Sequence, residues 1–164
     1  MRVIQLTQGK VAVVDEADYP SLSLHSWRAH EQKHHRGLAS SWYAARTVTV
    51  SGHGKSRKRT TIWMHRQILG DPNYEVDHAD LNGLNNRRSN LREASKSKNG
   101  QNRQKVPKCS SSFKGVSWHD AAGKWRAYIN SISLGSFSSE LEAALAYNKA
   151  ASLHFGQFAQ LNPI

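Results

Sequence analysis

The 164-residue chain carries 23 Lys and Arg against 12 Asp and Glu, a formal charge of +11 with a pI near 10.1. That length excludes a large multi-domain enzyme and leaves room for one domain or for two or three small modules, each short of core area. Hydrophobic residues make up 38% and mean hydropathy is −0.67, yet five Trp, five Tyr and four Phe exclude wholesale disorder, so small folded units facing a polyanionic partner are expected. The single Cys109 excludes an internal disulfide and a cysteine-based zinc ribbon; no structural zinc is expected, and any metal must take oxygen or imidazole ligands. Arg2, Gln5, Gln8 and Lys10 break up the first apolar positions as in no signal peptide, and no apolar run reaches bilayer length. The expectation is a cytoplasmic, non-secreted protein with no membrane partner.

In chain order, Val3, Gln5 and Leu6 precede the Gln8-Gly9-Lys10 turn and Val11 to Val14 follow it, which predicts a strand hairpin. His25 to His35 is polar and His-rich and reads as a loop. Trp42 to Val50 and Arg59 to Trp63 flank Ser51-Gly52-His53-Gly54-Lys55, a second hairpin whose tip is lined by Arg57, Lys58 and Arg59. Residues 1–63 thus form a β-rich leader. Met64 to Leu69 then reads as a short helix stopped by Gly70-Asp71-Pro72. Tyr74 to Arg92 is dense in Asn, Asp and Arg, too polar for a core element; it predicts a short strand, a Gly-containing loop and a second strand, followed by a polar helix through Ser95 to Asn102. Residues 104–111 lack periodicity and read as a linker between the module at 64–103 and a last unit at 112–164. In that unit Gly115 to Trp118, Lys124 to Ile129 and Ile132 to Phe137 predict three strands. Ser138 or Ser139 caps a helix from Glu140 onward, and Ala143, Ala144, Ala146, Ala150 and Ala151 let that helix lie close against the sheet. The fold class is α+β. The charge excess is +6 in the leader, +3 in residues 64–107 and +2 in the remainder, and a solvated basic face is the plain reading of any such excess.

Val76-Asp77-His78, Asn82-Gly83-Leu84-Asn85-Asn86-Arg87 and Ser89-Asn90-Leu91-Arg92 carry the chemistry. An imidazole with a pKa near 6.5 suits proton abstraction from water at neutral pH, and a carboxylate with an amide oxygen suits a hard cation. Alone, Asp77-His78 reads as a surface turn pair. Together these segments resemble the HNH nuclease family, in particular its homing-endonuclease-like branch, over residues 64–103. The resemblance implies a two-stranded ribbon and a helix clamping one divalent metal, Mg²⁺ or alternatively Mn²⁺, against the scissile phosphate of double-stranded DNA. Asp77 and Asn99 would be the metal ligands, His78 the general base, and Asn90 the residue that fixes the loop carrying the His. Asn90 and Asn99 stand 12 and 21 residues after His78, in agreement with that family. Adjacent strand residues point to opposite faces, so Asp77 and His78 can both address the site only where the chain twists or bends. His65 either supports the site from behind or packs on Trp63. Arg66, Arg87, Arg88 and Arg92 either contact phosphates or are solvated.

Ser112 to Trp118, Gly123 to Ile129, Leu134 to Phe137 and Glu142 to Asn148 look like an AP2 domain. That resemblance implies a three-stranded antiparallel sheet backed by one helix, laid in the DNA major groove, with Lys114, Trp118, Lys124, Arg126 and Tyr128 facing DNA. Only Asn130, Ser131, Ile132 and Ser133 lie between Ile129 and Leu134, where the family has a longer hairpin, so the second and third strands should be short. Strand alternation favours a core place for at least one of Trp118 and Trp125. The leader is similar to the β-rich segment preceding HNH modules in phage-type endonucleases; it either extends the catalytic ribbon or binds DNA through Arg57 to Arg59, unless that tip is simply solvated. The combined reading is a DNA endonuclease resembling free-standing phage or intron-associated homing endonucleases, a monomer or weak dimer acting in the host cytoplasm. The alternative is a catalytically inactive AP2-type DNA-binding regulator.

Overall fold

The structure, a computed structural model, describes residues 1–33, 40–53, 56–95 and 110–164. These fall into two compact units, one ending at Ser95 and the other containing residues 110–164. The architecture is α+β.

The first unit opens with strands β1 (Arg2–Gln5) and β2 (Val11–Val14), paired antiparallel from Arg2 opposite Val14 to Gln5 opposite Val11. Their alternation sends Ile4, Ala12 and Val14 inward. A short helix α1 (Tyr19–Ser23) follows, with Pro20 in its first turn, where a missing N–H costs nothing. Trp27 is buried next to it and donates its indole N–H to the Leu22 carbonyl at 2.9 Å. The polar stretch read as a loop contains strand β3 (Arg28–Gln32), whose backbone pairs with β4 (Ser41–Ser51); His34 and His35 lie outside the described residues. β4 in turn pairs with β5 (Lys58–Trp63), so the expected hairpin is present, although Gly54 and Lys55 at its tip are outside the described residues.

Register gives this three-stranded sheet two unlike faces. Ala29, Ala44, Trp42 and Ile62 turn toward the core. The opposite face pairs His30 with Tyr43, sets Ala45 between Arg28 and Trp63, and continues through Thr47 with Thr61 and Thr49 with Arg59. No acidic residue stands on it.

Helix α2 (Met64–Ile68) starts where β5 ends, burying Met64 and Ile68. Then come β6 (Glu75–His78) and β7 (Leu91–Ala94), an antiparallel pair with Asp77 opposite Arg92 and His78 opposite Leu91. One core gathers Ile4, Leu6, Val14, Leu22 and Trp27 of the leader with Met64, Ile68 and Leu91, and Val76 and Leu84 pack against it. The leader and the ribbon therefore do not have separate cores, and the boundary read at residue 63 crosses a single hydrophobic cluster. The helix expected through Ser95 to Asn102 falls largely at residues 96–102, and with the linker at 104–109 it lies outside the described residues.

In the second unit β8 (Val116–His119), β9 (Lys124–Ile129) and β10 (Ile132–Phe137) form an antiparallel sheet with β9 central. The expectation of short second and third strands is corrected: each has six residues. Asn130 and Ser131, with φ of 46° and 66°, close them in a two-residue turn with both φ angles positive, so the missing length is absent from the loop and not from the strands. Helix α3 (Glu140–Phe155) packs on the sheet through Ala143, Ala144, Tyr147 and Ala151. Ser139 is its cap: its hydroxyl accepts from Leu141 and Glu142 N–H at 3.1 and 3.4 Å while Glu142 accepts from Ser139 N–H, an arrangement worth about 1 kcal/mol. Gly115, at φ 73°, admits no Cβ, because one would overlap the Tyr147 ring. The C-terminal segment is tied down by Asn162, whose amide bonds both the N–H and the C=O of Lys114 and whose backbone pairs with Asn148.

Candidate active site

The polar run between β6 and β7 is held by its own amides and carboxylates. Asn90 is buried at the end of the loop, and its Oδ1 accepts from Asp80 N–H at 3.0 Å. Its Nδ2 donates to Asp80 Oδ1 at 2.9 Å and to the Asn85 carbonyl at 2.8 Å, and its own carbonyl accepts from Ala79 N–H. Asp80 is thereby the hub: Oδ1 also accepts from Asn82 N–H at 2.9 Å, and Oδ2 accepts from Asn85 Nδ2 at 2.6 Å. Burial pushes the Asp80 carboxyl up, but the donors Asn85, Asn82 and Asn90, with His78 nearby, outweigh it and hold the carboxyl below the usual range. The result is a stiff turn in which the strand stops at His78.

The leader grips the same loop from outside. Val13 N–H donates to the Leu84 carbonyl and Asn86 N–H to the Val13 carbonyl, both at 2.8 Å. Arg88 clamps Asp18 with two bonds of 2.9 and 2.8 Å and adds a third to the Ile68 carbonyl, while its N–H bonds Asp15. Gly83 lies against β4 so closely that a Cβ there would strike the Trp42 carbonyl and the Tyr43 ring. None of this is written in the loop's own sequence.

His78 is buried, with its ring edge-on to Tyr43 at 5.8 Å and to His65 at 5.1 Å. Its Nε2 lies 3.5 Å from Asn86 Oδ1. Burial lowers the His78 pKa, opposed by the Asn86 contact and by the charges of Asp80 and Asp77, and so favours the uncharged ring. His65 stacks on Trp63 at 6.2 Å and contacts Tyr43, and burial together with His78 and Arg66 lowers its pKa to about 3. The His65 ring thus packs on Trp63 and lies edge-on to His78. Tyr43, raised chiefly by burial with a further push from Asp77, is a site neighbour that lies far upstream and offered no signal in sequence. Asn86, completely buried, was within the motif but without an assigned role.

Asp77 sits on the ribbon beside His78, its Oδ2 accepting from Arg92 Nε at 2.8 Å and Nη2 at 2.7 Å. Asn99, read as the second metal ligand, lies outside the described residues. Arg66 is turned inward, bonded to Asp71 at 2.8 Å, to the Tyr74 carbonyl and to the Pro72 carbonyl. Arg87 bonds Asn85 Oδ1 at 2.9 Å. Arg66, Arg88 and Arg92 thus each tie segments of the fold together. Arg57, Lys58 and Arg59 are exposed on or beside β5, with no ion pair among the described residues.

Residues 62–101 match the family model described as HNH endonuclease. That match brackets α2, the β6–β7 ribbon, the Asn90 network and His78, and it ends before β8. No curated protein matches the chain. Among the described residues no three His, Cys, Asp or Glu side chains gather as a metal cage. Of the ribbon's carboxylates, Glu75, Asp77 and Glu93, Asp77 is the one next to His78. This fits a hard cation of the Mg²⁺ kind, which binds through one or two protein groups and completes its shell with phosphate oxygens and water.

In the second unit alternation puts Trp125, Ala127 and Ile129 toward α3 and Lys124, Arg126 and Tyr128 on the open face. Trp118 pairs with Trp125 in register and meets it edge-on at 5.1 Å, so it shares the helix-side face, 38% exposed. This corrects the grouping of Trp118 with the open-face residues: Val116 and Trp118 are two apart and point the same way. Ser117 and Ser136 flank Arg126 on the open face, and Arg126 reaches the Tyr128 hydroxyl at 3.4 Å. Lys114 is half-buried at the entry to β8, and burial lowers its ammonium to about 8.

Proposed function

We propose that the chain is a metal-dependent endonuclease that hydrolyses phosphodiester bonds of double-stranded DNA, with residues 112–164 as an AP2-like binder. The observation that carries this reading is the Asn90–Asp80–Asn85 network, which holds a neutral, buried His78 beside the Asp77–Arg92 pair inside the segment matched by the HNH endonuclease model. His78 takes a proton from water, the resulting hydroxide attacks phosphorus in line, and the bond to O3′ breaks, the departing O3′ taking a proton from solvent water, to leave 5′-phosphate and 3′-hydroxyl ends. A divalent cation, when bound by Asp77 and Asn99, supplies charge neutralisation of the phosphate and the departing oxygen. Arg92 fixes the Asp77 carboxylate through two bonds to one oxygen.

Substrate binding is supported by two acid-free surfaces. One is the face of the first sheet that runs from Tyr43 and Trp63, at the His65–His78 cluster, through Thr47 and Thr61 to Arg59. The other is the open face bearing Lys124, Arg126 and Tyr128. One site per chain predicts nicking by a monomer, so double-strand cuts require a dimer or sequential nicks. The test is relaxation of supercoiled plasmid with Mg²⁺ or Mn²⁺: wild type nicks, and His78→Ala nicks about 10²–10⁴-fold more slowly. If the two are equal with every divalent metal, the chain is a DNA-binding regulator and not an enzyme.

A further inference from the structure

Arg88 stands in the polar run two residues before Asn90, yet its guanidinium bonds two other segments. Nε and Nη2 donate to Asp18 Oδ2 and Oδ1 at 2.9 and 2.8 Å, and Nη2 also donates to the Ile68 carbonyl at 2.8 Å. The backbone N–H of Arg88 donates to Asp15 Oδ2 at 2.8 Å. One residue is thereby tied to the leader at Asp15 and Asp18 and to the last residue of α2. Stability alone is a weak reason for such a pair. The Asp18 side chain is only 12% exposed, so the cost of taking its charge out of water offsets much of the attraction. What a two-pronged guanidinium–carboxylate bond supplies is a fixed distance and a fixed orientation.

Both ends of that fixed geometry lead to the His78 ring. On one side, the Arg87 carbonyl accepts from Asn90 N–H at 2.9 Å, and the Asn90 side chain holds Asp80 and the Asn85 carbonyl in the loop that follows His78. On the other, α2 carries His65 three residues before Ile68, and the His65 ring lies edge-on to His78 at 5.1 Å. We propose that Arg88 is a positioning residue: by joining the leader, α2 and the loop at one point it sets the place of the His78 ring, and nicking depends on that clamp. The catalytic half of this statement rests on the endonuclease reading of His78; the hold of the clamp on the loop does not.

The experiment uses the full chain and reads two things, amide hydrogen exchange and the nicking of supercoiled plasmid in Mg²⁺. In Arg88→Met the amides of Asn86 and Asn90 exchange about tenfold faster or more, while those of the β1–β2 hairpin keep their rates. In the same variant kcat falls about 10–100-fold, the size expected of a misplacement near 1 Å, with KM changed less than about twofold. Asp18→Asn behaves alike, and the double variant is no slower than the worse single one, because the two side chains act as one unit. Trp27→Phe, which removes the indole bond to the Leu22 carbonyl but not the clamp, keeps kcat within about twofold of wild type. The proposal is overturned if Arg88→Met keeps wild-type kcat, if the two single losses multiply, or if Trp27→Phe is slowed as much. A raised KM at wild-type kcat also overturns it, since Arg88 would then bind the substrate. Should the methionine variant fail to fold, Arg88→Lys, which keeps the charge without the fork, is read by the same criteria. If His78→Ala nicks as well as wild type, the endonuclease reading fails while the exchange rates still decide whether the clamp holds the loop.

Discussion

The surroundings of the β6–β7 ribbon in the first unit and the sheet of the second use positive charge in opposite ways. In the first, Arg66, Arg88 and Arg92 donate to Asp71, Asp18 and Asp77 and to the carbonyls of Tyr74, Pro72 and Ile68. In the second, Lys124 and Arg126 remain on the open face of a sheet whose other face is closed by Val116, Ala127, Ala143 and Ala144 without any charge. The difference follows from what each unit must hold still. A loop of Asn, Asp and Gly has little apolar surface to bury, so its rigidity comes from hydrogen bonds and guanidinium clamps. A sheet backed by an alanine-faced helix is rigid through packing, and its cations stay on the open face. A basic composition therefore does not by itself count phosphate contacts.

The largest test of this contrast is acid. His65 protonates near 6.5 in the unfolded chain and near 3 in the folded one. Below pH 6.5 the unfolded state thus binds more protons, and stability falls as pH drops from about 6.5 toward 3 and is fully present above that window. The expected loss in the first unit is roughly 3–5 kcal/mol. His65→Phe, which keeps the ring against Trp63 and Tyr43, flattens that slope. Urea titrations at pH 7 and pH 4 with equal slopes for variant and wild type would show that His65 is not the sensor.

A smaller effect is expected from Arg88→Ala, which leaves Asp18, only 12% exposed, without its partner. The cost is about 1–3 kcal/mol, seen as faster amide exchange in β6 and β7 with the amides of β8 to β10 unaltered. Exchange that quickens equally in both units would break the division of labour. Smallest in stability, but telling for binding, is Lys124→Ala with Arg126→Ala. Folding should change by no more than about 0.5 kcal/mol, while the salt dependence of DNA affinity loses about 0.9 per phosphate contact removed. An unaltered slope would mean that the open face does not touch DNA.

Much of this was legible in advance. Hairpin strands on either side of Gln8-Gly9-Lys10, the helix from Met64, the ribbon around His78 and the Ser139 cap follow from periodicity and turn chemistry that act over a few residues. β3 was not legible, because Arg28 to Gln32 alternates poorly and is a strand only by pairing with β4. The tight turn at Asn130 and Ser131 was missed because neither residue is glycine. In the candidate site, Asn90 stood out in the sequence, and its side chain bonds Asp80 and the Asn85 carbonyl of the loop after His78. Tyr43, His65 and Asn86 gather around His78 through contacts between distant segments, which no local pattern encodes.

By itself the sequence determined the chemistry on offer: an imidazole, a carboxylate and a run of amides at fixed spacing, with an excess of cations and no cysteine pair. Only the tertiary structure decided which of those groups are engaged and which are open, since an arginine's role depends on whether an acceptor such as Asp18 or Asp77 lies within reach of its guanidinium. It also decided that the leader belongs to the site. The loop after His78 is bridged to Val13, clamped through Arg88 and pressed on Tyr43, contacts from distant segments that hold it beside the His78 ring.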